Sequence, residues 1–342
     1  MKKQIKIAYF PSTTPKVQVL TYKGKSLDNY CVSCSTEEDF SNYTLDARFI
    51  IKDNITDLLA EEAILKVQMD YGKEIFRISK VTVGTRYIDI VARQITISDT
   101  MTLFLDDVRS ENRNGLSALS YIISSSTGKG KTDITCTSDI TRTSTAYYVR
   151  KTVYEAIQGT EDNSFLTRWG GEIQRRAYNI TINDRIGGER GFTIREGINL
   201  TGFEGSSNID NLVTRARGQG YYGIMGNWIE SPLINSYTKT YSNVIKYEDV
   251  KVKDENSDEG YDTLEEAQAE LDRRVKLEFS DSNIDKIQAT YNVNFVQLAK
   301  TKEYQDYQVA ETCYLGDTIR VYIPRLNQDI FVRAISKKYN VL

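Results

Sequence analysis

The stretch AILKVQMDYGKEIFRISKVTV, Ala63 to Val83, decides the fold class. Two runs of alternating apolar and polar side chains flank Tyr71-Gly72, and a period of two on either side of a glycine is the pattern of a β-hairpin. Toward the N-terminus, KIAYF, KVQVLTYK, YCVSCS and YTLDARFI read as further strands between polar turns, with NITDLLAEE as a helix of one to two turns. Toward the C-terminus, RYIDIVARQITI closes the series. Strands at this density predict a small barrel or sandwich over residues 1–98.

Beyond residue 98 the period changes. Leu116, Leu119, Ile122 and Ile123 recur at helical spacing behind Asn114-Gly115, and KTVYEAIQG adds a short helix, so residues 99–175 read as an α+β side module. AYNITIN, FTIREG, INLTGFEGS and LVTRARGQG return to strands over 176–238. Residues 239–286 hold TLEEAQAELDRRVKLEF, with Leu264, Ala267, Leu271 and Val275 on one stripe and Asp262/Glu265 as a D-x-x-E capping signal. QATYNVNFVQL, DTIRVYIPRL and DIFVRAISKKY are three closing strands. The fold expected is a β-dominated, multidomain α+β protein. It has two barrel-like β domains, 1–98 and 176–238 joined with 287–342, and two inserted modules, 99–175 and 239–286.

Composition narrows the chemistry. The 342 residues are 27% charged and 40% hydrophobic with a net charge of -3. The two signs are interspersed, and no long basic block points to electrostatic nucleic-acid binding. No apolar run at the start, MKKQIKIAYFPSTTPK, is long enough for a signal peptide, and none elsewhere approaches a membrane span. There is no histidine, which excludes Ser-His-Asp triads, Cys-His peptidases and H-E-x-x-H zinc sites.

The remaining motifs favour structural roles. Gly130-Lys131-Thr132 supplies half of a phosphate-binding loop, but Ser125 stands where the first glycine belongs and the following residues read as strand. Cys31 and Cys34 form a C-x-x-C, yet Cys136 and Cys313 are isolated. Strand alternation places Cys31 with Ser33 on one face and Val32 with Cys34 on the other, so half-buried thiols are expected rather than zinc or redox chemistry. Asp254, Asn256, Asp258, Asp262 and Glu265 imitate a calcium loop, but Glu259 occupies the turn position that needs glycine, so a helix-capping acidic turn is expected. Asp106-Asp107 and Glu265-Glu266 are sequence neighbours whose side chains diverge, which does not nominate a glycosidase pair. Tyr147-Tyr148 and Tyr221-Tyr222 are candidate interface anchors, though cross-strand packing is the favoured reading. No catalytic, cofactor-binding or metal residue is assigned, and no cofactor is expected.

At FLTRWGGEIQRRAYNITINDRIGGERGFTIREGINLTGFEGSSNIDNLVTRARGQG the sequence resembles the tail hub proteins of Gram-positive siphophages. That family is also labelled prophage endopeptidase tail, minor structural protein, or tail-associated lysin N-terminal region. Arg168-Trp169-Gly170-Gly171-Glu172-Ile173, Arg190-Gly191, IREGINLTG and LVTRARGQG carry the likeness. CVSCSTEEDFSNYTLDARFI, EIFRISKV, IVARQITISD and LGDTIRVYIPRLNQDIFVRAISKKY extend it over nearly the whole chain. The resemblance implies a fold like the baseplate hub of contractile phages and a homotrimer whose subunits each offer two barrel-like domains. Six similar barrels, related by roughly 60°, would then meet a sixfold tail, with the inserted modules away from the tail-facing side. It further implies a virion structural protein at the distal tail tip, made in the bacterial host cytoplasm. Its partners would be a distal tail ring protein, the tape-measure protein and receptor-binding or fibre proteins. DNA would pass without specific binding, and nothing would insert stably in a membrane. A lytic or fibre region follows the hub in many relatives, and the chain is expected to stop where it would start. The endopeptidase label is therefore not carried over, and a non-enzyme is expected. The alternatives are a tail-associated, carboxylate-based cell-wall hydrolase and a receptor or glycan-binding module.

Overall fold

The computed structural model describes residues 4–160, 163–253, 260–296 and 312–342. The chain divides into one compact unit of residues 1–199 with 297–342 and a second of residues 200–296.

The first unit opens with β1 (Ile7–Phe10), α1 (Lys16–Thr21), β2 (Lys25–Ser26), β3 (Cys31–Asp39), β4 (Tyr43–Ile50), α2 (Ile55–Leu58), β5 (Ile64–Met69), β6 (Gly72–Val83), β7 (Tyr87–Gln94) and α3 (Ile95–Thr100). The decisive hairpin is present: β5 and β6 pair antiparallel from Ile64↔Arg77 to Met69↔Gly72. KVQVLTYK is a correction, because Lys16–Thr21 is a helix behind Pro15. Its alternation was real, but tertiary packing overrode it: Val19 is fully buried while Val17 stays exposed. β8 (Phe104–Asn114), α4 (Gly115–Ser125), β9 (Thr135–Thr137), β10 (Thr143–Thr152), α5 (Val153–Gln158), α6 (Phe165–Trp169), β11 (Glu172–Arg176), β12 (Asn179–Asn183) and β13 (Glu189–Arg195) follow.

The second unit holds β14 (Leu200–Asn208), β15 (Arg215–Gly220), β16 (Ile229–Glu230), β17 (Ser242–Tyr247), α7 (Leu264–Ser280) and β18 (Gln288–Phe295). The chain then returns to the first unit with β19 (Thr318–Ile323), β20 (Gln328–Arg333) and β21 (Ser336–Asn340).

An eight-stranded sheet in the order β2-β1-β5-β6-β7-β4-β3-β21 dominates the first unit. It is curled into a half-barrel. Ile7 on β1 and Val341 just past β21 stand near opposite edges of the sheet, yet they share one core with Leu45, Phe49, Leu65, Phe76 and Ile90. Bulges steer that core. In β6 the register shifts between Ile78 and Lys80, so Ile78 faces Ala92 and Val81 faces Ile90, and both point inward although three residues apart. β5 is buried on its other face too, where Ile64 joins Ala8, Phe10, Val19, Ile75, Ile95 and Tyr178.

A second core gathers α4, α5, α6, the β8–β10 pair and the sheet β11-β12-β9. Asn114 caps α4 and Thr152 forms a capping box with Glu155 on α5. Trp169 is fully buried and stacked on Phe165.

The expected second barrel is redistributed. β12 pairs in parallel with β9, so 176–183 completes the side module. β13, β19 and β20 form a three-stranded sheet, and β21 pairs with β3 of the first sheet. β14–β18 and β16-β15-β17 are separate small sheets of the second unit. Non-local pairing made these choices, and alternation within a strand does not name its partner. At one crossing a glycine is required: a Cβ on Gly187, at φ 77°, would lie 2.1 Å from the Gly316 carbonyl carbon.

In the second unit, Ala267, Leu271, Val275 and Phe279 of α7 are buried and Leu264 is exposed. The cap lies one residue later than the sequence signal. Thr263 Oγ1 accepts from Glu266 N at 3.1 Å, and Glu266 reaches back to the Thr263 amide. The calcium-like stretch 254–259 lies outside the described residues.

Candidate functional site

The chemical motifs take structural roles. Gly130, at φ 81°, leads into a single 3₁₀ turn and then β9, and Lys131 Nζ donates to Ser126 O at 3.3 Å. Cys31 and Cys34 do not split between faces as alternation predicted. A bulge between Cys31 and Ser33 sets Cys31 opposite Phe49 and Cys34 opposite Ala47, so both face the half-barrel core. The Cys31 thiol beside it and burial push the Cys34 thiol above its usual range, which leaves it protonated and unreactive. Cys313 is buried and pushed up to about 12. Asp106 and Asp107 are exposed on β8, with Asp107 turned onto Arg109 at 3.1 Å. Glu266 is consumed by the α7 cap, and Glu265 is exposed. Among the described residues, no group of three or more His, Cys, Asp or Glu is placed to hold a metal.

The tyrosine pairs separate. Tyr148 is fully buried, while Tyr147 is exposed under the Arg109 guanidinium, 5.6 Å from the ring centroid. Tyr221 and Tyr222 both stay exposed, their ring centroids 4.3 Å apart, with Tyr222 at φ 51°.

The strongest electrostatic feature is a buried seam in the first unit, which the sequence reading did not foresee. Arg176 pairs with Glu38, donates to Arg175 O at 2.6 Å and lies 4.4 Å from the Tyr71 ring centroid. Tyr71 hydrogen-bonds the Tyr43 hydroxyl at 2.6 Å and donates to Glu74 at 3.1 Å. Glu74 also accepts from Ala177 N at 2.7 Å and Gln94 Nε2 at 3.2 Å. Lys337 Nζ meets Asp70 at 2.5 Å and donates to Cys313 O at 2.7 Å. These contacts join β3, β4, the β5–β6 turn and the start of β6, the end of β7, the β11–β12 turn, Cys313 and β21. Burial raises the Glu74 carboxyl above the ordinary glutamate range. Burial would lower Arg176, but Glu38 and the neighbouring tyrosines outweigh it and hold the guanidinium above its ordinary value. Burial lowers Arg175 to about 10. The only sequence signal was the basic pair Arg175-Arg176 ahead of an apolar strand, and nothing in it named the acids.

Residues 188–342 match the family described as prophage endopeptidase tail. The whole fold is similar to the prophage tail protein gp18 of Listeria monocytogenes, at 14% identity and a TM-score of 0.60, over 98% of this chain and 90% of that one. It is similar to the 43 kDa tail protein of prophage MuSo2 from Shewanella oneidensis, at 10% identity and a TM-score of 0.64, over 99% and 94% of the two chains. A tail protein of Neisseria meningitidis matches at 11% identity and a TM-score of 0.57, over 91% and 88%. No curated protein matches the chain. The family resemblance read from the sequence is therefore shown, and with it the fold of prophage tail proteins over nearly the full length.

Proposed function

We propose that the protein is a structural component of a phage or prophage tail, the hub at its distal tip, working as a homotrimer that closes the tail tube and carries host-contact components. The observation that supports this reading is the shared fold with prophage tail proteins over 98–99% of the chain. The family match over residues 188–342 adds to it. The two-barrel layout expected from symmetry does not add to it. Among the described residues one sheet is eight-stranded and curled into a half-barrel, and on this reading the sheet of β13, β19 and β20 would serve as the second ring surface. On this reading the distal tail ring and tape-measure proteins are the axial partners and the protein performs no catalysis.

The test is positional. Antibody raised to the purified chain and labelled with gold is expected at the distal end of intact virions carrying this protein. Crosslinked particles are expected to release a species of three times the chain mass. Gold along the tail shaft, or at the head, would refute the hub assignment; a crosslinked dimer would refute the trimer.

A further inference from the structure

The LVTRARGQG motif, which the tail assignment leaves without a role, forms β15 of the second unit. Ala216, Gly218 and Gly220 of this strand face the interior: Ala216 is fully buried, and a Cβ on Gly218 would lie 2.9 Å from Leu271 Cβ on α7. Alternation then sends Arg215 and Arg217 to the opposite face. Both guanidinium carbons lie 4.7 Å from the ring centroid of Trp228, which is 38% exposed.

Arg48, Arg77, Arg176, Arg320 and Arg333 all pair with carboxylates. The side chains of Arg215 and Arg217 have no hydrogen bond or ion pair among the described residues, and the Nε of each is shielded from solvent with no acceptor. Glu230 stands opposite Arg215 in the register, yet the two make no ion pair, and Lys246, opposite Gln219, adds a third positive charge to the face. A guanidinium stacked on an aromatic face keeps its N–H donors in plane and free. A carboxylate can also accept from two guanidinium groups, as Glu270 does from Arg273 and Arg274, but a tetrahedral phosphoryl group offers more acceptor oxygens to two converging forks. Side chains two apart on a strand start only about 7 Å apart, close enough for their forks to converge on one group.

We propose that Arg215, Arg217 and Trp228 form a binding site for a phosphoryl group, either free phosphate or a phosphodiester of a surface polymer. The site does not depend on the hub reading.

Trp228 reports on it directly, because the other tryptophan, Trp169, is fully buried. The full chain is titrated with pyrophosphate at constant ionic strength, while Trp228 emission and its quenching by iodide are followed. A saturable change with protection from iodide is expected. Arg215→Ala and Arg217→Ala should each abolish it, and Arg217→Lys should weaken it about tenfold by losing the fork while keeping the charge. Unchanged melting temperatures of these variants show that the fold is intact, and Lys246→Ala should weaken binding less than either arginine variant. A glycerol-phosphate oligomer that binds much more tightly per phosphate than pyrophosphate identifies the polymer as the source, and equal binding identifies free phosphate. No saturable response to either probe, a response that survives both alanine variants, or equal binding of polyglutamate would overturn the proposal.

Discussion

Replacing Arg176 by methionine tests whether the buried seam holds the β11–β12 hairpin against the half-barrel. The Arg176 side chain is 24% exposed and that of Glu38 only 5%. Removing the cation strands the carboxylate in a site with little water. Lys337 stands opposite Glu38 in the register, but its ammonium is directed to Asp70 at 2.5 Å and to Cys313 O at 2.7 Å rather than to Glu38. Breaking a buried pair from one side costs ~3–5 kcal/mol. Partial exposure of the arginine puts the expectation at the lower end, ~3 kcal/mol. At ~2–4 °C per kcal/mol for a unit of this size, the melting temperature should fall by about 6–12 °C. Adding Glu38→Gln to Arg176→Met removes the stranded charge and should recover most of the loss. The double-mutant cycle should thus give a coupling of ~2 kcal/mol or more. Thermal and urea melts of the four proteins, followed by far-UV circular dichroism, measure it. A loss below ~1 kcal/mol for Arg176→Met, or a double variant no more stable than that single one, would show that the seam does not clamp the hairpin.

Burial raises the Glu74 carboxyl, so the folded state holds this proton more tightly than the unfolded state. Its contribution to stability is present below the ordinary glutamate value of 4.5 and declines as pH rises through the raised folded value. Glu74→Gln should flatten that decline in melts taken across the pH range, and an unchanged pH profile would contradict it. Thr263→Ala removes the acceptor for Glu266 N and should cost ~1 kcal/mol in the unit that carries α7, read by local amide exchange; no change would deny the cap. Deleting residues 336–342 bares β3 and removes the Val341 N to Cys34 O bond of 2.9 Å. Aggregation or loss of the cooperative melt is expected, and a native-like melt would be the contrary result. Purified protein should release no peptidoglycan fragments above background, whereas a zymogram band lost on changing one Asp or Glu would establish a hydrolase.

Local chemistry was legible in the sequence and long-range partnership was not. The β5–β6 hairpin, α4 behind Asn114, α5 and the α7 stripe of Ala267, Leu271 and Val275 all follow from periodicity within a dozen residues. The α7 cap was misplaced by one residue because Asp262/Glu265 and Thr263/Glu266 both satisfy the capping spacing, and only geometry separates them. Cys31 and Cys34 were assigned to opposite faces because strict alternation holds only without a bulge. KVQVLT alternates like a strand, yet six residues behind a proline can close as a helix when one valine finds a pocket. The seam and the Arg215–Trp228–Arg217 cluster join residues from separate strands or turns, a proximity that composition and spacing do not encode.

The matched family segment, 188–342, is not a physical domain. It contains all of the second unit, but also β13, β19 and β20, and it ends in β21, the last strand of the half-barrel sheet. β13 and β19 pair in parallel, with Thr193 beside Arg320 and Arg195 beside Tyr322. A parallel pair cannot be joined by a tight turn and needs a crossover of a dozen residues or more. Residues 200–296 lie within that crossover, as an insertion between two neighbouring strands of one sheet. The first unit is therefore incomplete without the segment that follows the insertion. β21 supplies the strand beside β3, Lys337 supplies the cation for Asp70, and Arg333 supplies the partner of Glu172 on β11. Residues 1–187 alone would leave Asp70, Glu172 and the inner face beside Cys34 uncovered. Residues 1–187 and the strands β13, β19, β20 and β21 of the family segment thus belong to one compact unit.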